Sequence, residues 1–136
     1  MDDCVFCKIV EGKIPSAKLY ENEHILSFLS ISPVNKGHAL VIPKKHFADL
    51  TEIPEKELKE LIKVSQKVAA AVEKATKAHG FNITMNNKPA AGQVVFHAHF
   101  HIIPRYDNDG FTPWPMGKYN EGEMEEYRKK ISEMIK

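Results

Sequence analysis

The stretch VVFHAHFHIIPR, residues 94–105, carries a histidine at every second position, His97, His99 and His101. Successive side chains of a β-strand point to opposite faces, so the three imidazoles are predicted to share one face of a strand. The residues between them are apolar and would pack on the core from the other face: Ala98, Phe100 and Ile102. Three imidazoles buried without partners would be costly, so the spacing indicates a site.

Three interpretations of this histidine run compete. A single histidine is usually a polar residue on a solvated strand face, but three in register make that interpretation weak. A His-x-His pair on a strand can direct two nitrogens at one catalytic zinc ion, although no third carboxylate ligand is evident nearby. The third interpretation is nucleophilic catalysis, because a neutral imidazole with a pKa near ~6.5 is a nucleophile at neutral pH. Phosphorus is a natural target, since His101 and nearby backbone N–H groups could hold its oxygens.

Both cysteines of the chain, Cys4 and Cys7, stand in a CxxC spacing. The N-terminus lacks an apolar leader segment and no stretch approaches the ~18 apolar residues of a membrane span, so a cytosolic protein is expected. In a reducing compartment the pair favours a metal or redox role over a structural disulfide. It supplies half of a tetrahedral zinc site; two free thiols are the alternative, and a thioredoxin-like pair lacks its βαβ context.

Composition narrows the class of ligand. At 136 residues the chain is expected to form a single domain, 1–136. The formal net charge is +1 and no block of like charge is present. Neither a nucleic acid nor a membrane surface is therefore expected as a partner, and a small ligand is favoured.

The order of predicted elements indicates an α+β fold with an antiparallel sheet of about five strands. The long helix is predicted from Pro54 to His79, with Pro54 in its first turn and Gly80 at its C-cap. An amphipathic C-terminal helix is predicted over about 121–135. The predicted strands are 17–22, 24–30, 38–43, 82–87 and 97–103.

Three segments in order, FCKIVEGKIPSAKLYENE, SPVNKGHALVIPKKHF and NNKPAAGQVVFHAHFHIIPR, carry a family resemblance. The chain resembles the histidine triad (HIT) superfamily, whose signature His-φ-His-φ-His-φ-φ, with φ apolar, is satisfied at every position of 97–103. It is most similar to the Hint-like nucleoside phosphoramidase branch, particularly its prokaryotic members. The resemblance implies the HIT fold and a homodimer.

The resemblance also implies a mechanism and assigns its residues. His99 is the implied nucleophile on the α-phosphorus of a nucleoside 5'-phosphoramidate or related nucleoside phosphate, with purines favoured and no organic cofactor. A covalent nucleotidyl-histidine forms and water then releases the nucleoside monophosphate. His101 would contact the phosphate oxygens, the backbone carbonyl of His97 would orient His99, and His38 would support the triad from a neighbouring strand.

The implied substrate pocket has a polar end and an apolar end. Asn86 and Gln93 match positions that bind the phosphate region or the ribose. Ser30 stands where an acidic residue commonly accepts the ribose hydroxyls, and Val94 where many members carry a Ser or Thr near the scissile bond. The base would lie in an apolar slot, although each of its residues could equally be core: Val5, Phe6, Ile9, Phe28, Ile31 and Leu40.

Prokaryotic relatives of this pattern resemble zinc proteins, which implies a structural zinc site completed by His46 and His97 beside Cys4 and Cys7. Such an ion would orient His97 and would not activate water. Alternatives to the phosphoramidase are a dinucleotide polyphosphate hydrolase or nucleotidyl transferase of the same fold, and a nucleotide-binding adaptor with little catalysis. A zinc hydrolase would lose its activity to a chelator with the histidines intact.

Overall fold

The computed structural model describes residues 3–135 and confirms the predicted α+β class. Five strands form one antiparallel sheet in the order β1-β2-β3-β5-β4. Within the described residues no helix is long and apolar enough to cross a membrane. The elements are α1 (Val5–Val10), β1 (Lys18–Glu21), β2 (Ile25–Leu29), β3 (Ala39–Pro43), α2 (Glu55–Thr76), β4 (Gly80–Thr84), β5 (Phe100–Arg105) and α3 (Glu123–Met134).

One face of the sheet is covered by α2. The apolar residues of α2 recur every three or four positions, so they form a single stripe that packs on the sheet. Ala98 and Ile102, which alternate with the histidines, lie in this core as predicted. Each fully buried aliphatic side chain contributes about 1.5–3 kcal/mol, so this layer supplies much of the stability. Its α2 members are Leu61, Val64, Val68, Ala69 and Val72.

The opposite face of the sheet is covered near β2 and β3 by the short helix α1. Phe6 of α1 packs edge-on against Phe28 with ring centroids 5.5 Å apart. β3 is buried on both faces along its whole length, which explains its continuous apolar sequence ALVIP. This second layer, between α1 and the sheet, is where the histidines emerge.

The structure corrects three boundaries of the predicted elements. The strand expected over 97–103 begins only at Phe100, because the preceding residues leave the sheet and the Ala98 N–H binds the carbonyl of Phe47 at 2.7 Å. The strand expected over 82–87 is β4, which starts at Gly80 opposite Arg105 and ends at Thr84. Gly80 is therefore not the C-cap of α2; Lys77 takes that place in the left-handed conformation, with φ 56°.

The helix α1 was not predicted from sequence. It is six residues long, too short to be stable by itself. The Cys4 side chain accepts a hydrogen bond from the Cys7 N–H at its start. Packing of Phe6 on the sheet then holds it in place.

Candidate active site

His38 and His101 are neighbours across the centre of the sheet. His101 lies in β5, opposite Leu40 of β3, and His38 directly precedes β3. Nδ1 of His38 accepts a hydrogen bond of 3.1 Å from the Val34 N–H. A neutral His38 therefore carries its proton on Nε2, which donates to Nδ1 of His101 at 3.0 Å. The proton of a neutral His101 is consequently on Nε2.

His99 is fixed by a hydrogen bond to the main chain. Its Nδ1 lies 2.7 Å from the carbonyl oxygen of His97, and only a protonated Nδ1 can donate to a carbonyl. The lone pair of a neutral His99 is therefore on Nε2. The ring of Phe6 packs edge-on against it at 5.0 Å and the ring of His101 lies at 4.8 Å.

Burial keeps these imidazoles neutral. Desolvation lowers the pKa of His99 and of His38 below the usual histidine range. The pKa of His101 falls to about 4, because of burial and the nearby His99 and His38. At neutral pH the site therefore presents an uncharged nucleophilic nitrogen on His99 beside an N–H donor on His101.

These two histidines line a cavity of about 740 Å³ between α1, the sheet and the loop that follows β4. Within residues 3–135 no charged side chain lines it. Ile31 is fully exposed and Val94 is 84 % exposed at its rim. All six residues predicted for an apolar slot are in its wall: Val5, Phe6, Ile9, Phe28, Ile31 and Leu40.

The polar residues predicted for the pocket also reach this cavity. Ser30 is in its wall, with its hydroxyl accepting a 3.2 Å hydrogen bond from the Ser32 N–H. Asn86 lines the cavity and donates from Nδ2 to the Gly92 carbonyl at 3.4 Å. Gln93 also lines it, but its amide is bound to the main chain, and only 5 % of the residue is exposed.

Several cavity residues were missed by the sequence analysis. Five belong to the connection after α1 and to the loop after β2, Leu29 is the last residue of β2, and Gly92 and Val95 flank Gln93 and Val94. The turn residues of that connection gave a signal for a loop but none for a cavity wall. The missed residues are Ile14, Pro15, Ser16, Ala17, Leu29, Ser32, Gly92 and Val95.

A second cluster lies behind the cavity. One nitrogen or sulfur atom from each of Cys4, Cys7, His46 and His97 lies within 4.8 Å of the others. Nδ1 of His97 is 3.4 Å from Cys4 Sγ and 3.6 Å from Cys7 Sγ, and Nδ1 of His46 is 3.4 Å from Cys7 Sγ. The four predicted zinc ligands are thus brought together.

The geometry of this cluster fits a tetrahedral zinc ion. Sulfur and nitrogen ligands at about 2.3 and 2.0 Å from a tetrahedral zinc stand about 3.5 Å apart, close to the separations seen here. Nε2 of the fully buried His97 donates to the Pro43 carbonyl at 2.7 Å. Its Nδ1 therefore has a free lone pair directed at the thiols, as a metal-ligating histidine requires.

Comparisons with known proteins agree with this geometry. The family model described as HIT domain matches residues 11–108. An HIT-like protein of Methanocaldococcus jannaschii is 51 % identical over 107 residues, which cover 79 % of this chain and 82 % of that protein. The adenylylsulfatase HINT3 of Arabidopsis thaliana is 44 % identical over 108 residues, 79 % of this chain and 55 % of that protein.

Solved structures match over nearly the whole chain. SMU.412c of Streptococcus mutans has a TM-score of 0.94 and 44 % identity, covering 100 % of this chain and 87 % of that one. A histidine triad nucleotide-binding protein of Candida albicans has a TM-score of 0.85 and 36 % identity, with 96 % of each chain covered. A zinc-bound histidine triad family protein of Mycobacterium smegmatis has a TM-score of 0.77 and 36 % identity, covering 98 % of this chain and 96 % of that one.

Proposed function

The chain belongs to the HIT family, and on that premise we propose that it hydrolyses nucleoside 5'-phosphoramidates or related nucleoside phosphates through an adduct on His99. One observation carries the proposal. His99 is neutral, its Nδ1–H is fixed on the His97 carbonyl, and it lines the cavity with a lone pair on Nε2. An uncharged imidazole oriented by its second nitrogen is an activated nucleophile.

In the first step, Nε2 of His99 attacks the α-phosphorus and the P–N bond of the substrate breaks. The amine leaves with a proton from solvent, and the adduct carries its positive charge on the His99 ring. The His97 carbonyl, bound to Nδ1–H, stabilises that charge. The N–H of His101, whose ring lies 4.8 Å from that of His99, would donate to a phosphate oxygen, and His38 holds it in the donating tautomer.

In the second step, water attacks the same phosphorus and the bond from phosphorus to Nε2 breaks. The products are the nucleoside monophosphate, a proton released to solvent and neutral His99. A second displacement at one phosphorus replaces a single difficult hydrolysis with two easier steps.

The remaining cavity residues would bind the nucleoside. The apolar wall that includes Phe6, Phe28 and Leu40 suits the π-face of a base, and a purine is the base expected from the family resemblance. Ser30 would meet the ribose with a single neutral hydroxyl, and Asn86 the phosphate region. Val94 would lie beside the scissile bond without a hydrogen-bonding group.

We further propose that the cluster of Cys4, Cys7, His46 and His97 holds a structural zinc ion. All four ligand positions come from the protein, so the site is closed and leaves no position for a reacting water. When bound, the ion supplies a cross-link from the N-terminal segment to the segment that carries His97. Two reduced thiols suit a cytosolic location.

A homodimer is proposed from the sheet edge. β4 is an edge strand with no partner on its outer side within residues 3–135. Phe81 of β4 is 39 % exposed and Ile62 of α2 is 49 % exposed in the same groove. A two-fold axis at this edge would pair β4 with its copy and cover both side chains. The C-terminal helix α3 also has an exposed apolar stripe, which includes Tyr127 and Ile131.

The test compares wild type with His99→Ala on three adenosine substrates, a 5'-phosphoramidate, adenylyl sulfate and a diadenosine polyphosphate. The second is included because a relative is named an adenylylsulfatase. His79→Ala, which removes an exposed histidine outside the cavity, is the matched control. Each protein is assayed with and without a zinc chelator.

Loss of turnover in His99→Ala alone, with a nucleotidyl adduct trapped on wild type by alkaline denaturation, supports the proposal. The fastest of the three substrates identifies the leaving group. Loss on chelation in a protein that stays folded, without any adduct on His99 in the zinc-loaded wild type, would instead indicate a zinc hydrolase. Tight binding of nucleoside monophosphate without turnover of any substrate would indicate a nucleotide-binding adaptor.

A further inference from the structure

Residues 47–51 lie between the histidine run and the loop 86–93, and they are bonded to both. On one side the Phe47 carbonyl accepts the Ala98 N–H at 2.7 Å. On the other side the Leu50 N–H donates to Oδ1 of Asn87 at 2.8 Å. One segment therefore fixes the distance between two walls of the cavity.

Gln93 makes the central contacts of this arrangement. Its Oε1 accepts the Lys88 N–H at 2.7 Å, which closes the loop on itself. Its Nε2 donates to the carbonyls of Ala48, at 2.7 Å, and Val95, at 3.1 Å. Both amide hydrogens and the amide oxygen are used inside the protein, and 5 % of the residue is exposed. No hydrogen of this amide remains for a substrate.

Lys88 closes the same loop from outside. Its backbone has φ 74° and ψ 157°, a region that residues other than glycine rarely occupy, so its surroundings must hold it there. Its Nζ lies 2.8 Å from Oδ2 of Asp49, and that carboxylate also accepts two hydrogen bonds from Thr51. The loop is thus attached to residues 48–51 through Gln93, Asn87 and Lys88.

We propose that Gln93 is a positioning residue, which fixes the loop 86–93 against residues 48–51 and so places the cavity wall of Asn86 and Val94 beside His99. Its effect on catalysis rests on the proposed function; its effect on the loop does not. A displacement of the order of 1 Å at a reacting centre costs about 100-fold in rate, so a loosened loop lowers kcat.

The test is Gln93→Glu, which keeps the shape and the acceptor for Lys88 but replaces the Nε2 donor with a carboxylate oxygen. At pH 8 that oxygen carries no proton, so it cannot donate a hydrogen bond to the carbonyls of Ala48 and Val95. On acidification the side chain gains a proton and can donate again. Asn120→Asp makes the same chemical change at an exposed position and is the matched control.

The other titratable groups near Gln93 do not produce the same recovery at low pH. The pKa of Asp49 is held at about 2 by Lys88, and that of Lys88 is raised by Asp49, so both keep their charges between pH 5.5 and 8. Glu52, which accepts the Ala48 N–H, and the cavity histidines are present in both the variant and the wild type. The ratio of variant to wild type at each pH therefore isolates residue 93.

Two readouts are measured from pH 8 to pH 5.5: turnover, and hydrogen exchange of the amides of residues 86–95 without ligand. We expect Gln93→Glu to lose about 10- to 100-fold in kcat at pH 8, with KM within about threefold, and to exchange faster in the loop. Both differences shrink towards pH 5.5. Lys88→Met, which removes only the outer contact, shifts both readouts in the same direction by less.

Wild-type exchange and kcat in Gln93→Glu would overturn the proposal. So would a rise in KM with unchanged loop exchange, because that pattern places the amide on the substrate. If Gln93→Glu fails to fold, wild-type exchange in Lys88→Met is the contradicting result. If the wild type turns over no nucleotide, the proposed function fails while loop exchange still decides the role of Gln93.

Discussion

The carbonyl oxygen of His97 accepts the Nδ1–H of His99 at 2.7 Å, while the ring of His97 directs its own Nδ1 at two thiols 3.4 and 3.6 Å away. One residue thus belongs to the candidate metal cluster through its side chain and to the candidate nucleophile through its main chain. Anything that holds the ring of His97 also holds the carbonyl that orients His99.

Cys7→Ser is expected to abolish stoichiometric zinc binding and to lower stability. An ion at 1,000 times its dissociation constant stabilises the folded state by about 4 kcal/mol, and serine is a poor replacement for a thiolate ligand. Metal content and thermal unfolding, each with and without chelator, check this. The variant should be insensitive to chelator where the wild type is not. A wild type that binds no zinc and melts identically in chelator would contradict it.

His38→Ala is expected to lower kcat by about 10-fold, since one hydrogen bond to His101 and its control of the tautomer are lost. His38→Gln, whose amide can donate to the same nitrogen, should recover part of that loss. His79→Ala serves as the control for removal of an exposed histidine. Steady-state kinetics at pH 7.5 decide, and an unchanged kcat in His38→Ala would remove the supporting role of His38.

Val94→Ser is expected to raise the rate constant for phosphoramidate hydrolysis by about fivefold. A neutral hydrogen bond contributes about 1 kcal/mol, and the new hydroxyl would reach the region of the scissile bond. Val94 is 84 % exposed, so the change costs little stability. Val94→Ala, which removes the methyl groups without adding a hydroxyl, is the control. Equal rates in the Ser and Ala variants would refute the prediction.

Phe81→Glu is expected to convert a dimer into a monomer, because a carboxylate would be placed in the apolar groove at the β4 edge. Light scattering coupled to size exclusion gives the mass directly. Leu19→Glu makes the same kind of change on β1, the opposite edge of the sheet, and should leave the mass unchanged. A monomeric wild type, or a dimeric Phe81→Glu, would exclude this interface.

Acid is expected to destabilise the chelated protein between pH 6.5 and pH 4. The pKa of the half-buried His101 is about 4 and that of an unfolded histidine is near ~6.5. The unfolded state therefore binds more protons in this window, and stability is lost as the pH falls. From pH 7 to pH 5 His101 alone accounts for at most about 2 kcal/mol, and His38 acts in the same direction. Urea unfolding at pH 7 and at pH 5 measures this loss of stability, and His101→Asn should make the loss smaller.

The sequence predicted those elements whose apolar spacing is long and regular. α2 and β3 were placed within a few residues, because each must present a continuous apolar surface to the core. α1 was missed because its stability comes from the packing of Phe6 on Phe28, which no local pattern encodes. The first half of the histidine run was wrongly placed in a strand, since its partner is Phe47, distant in sequence.

In the candidate site, too, some features were predictable from the sequence and others were not. The resemblance to the family, together with the cysteine spacing, predicted the groups that the structure brings together at the cavity and at the candidate metal cluster. The contacts of Gln93 could not be predicted, because one of its acceptors, Ala48, lies 45 positions away along the chain. Its position in the sequence predicts a ligand for the substrate, whereas in the structure all of its amide groups are bonded within the protein.

The cavity wall has a consequence for the encounter with substrate. Within residues 3–135 it contains no lysine or arginine, and the whole chain carries a net charge of only +1. A nucleotide anion is therefore not guided inward by a long-range field, and its association rate depends little on ionic strength. Discrimination between nucleotides begins only at contact, from the shape of the apolar wall and the few hydrogen-bonding groups behind it.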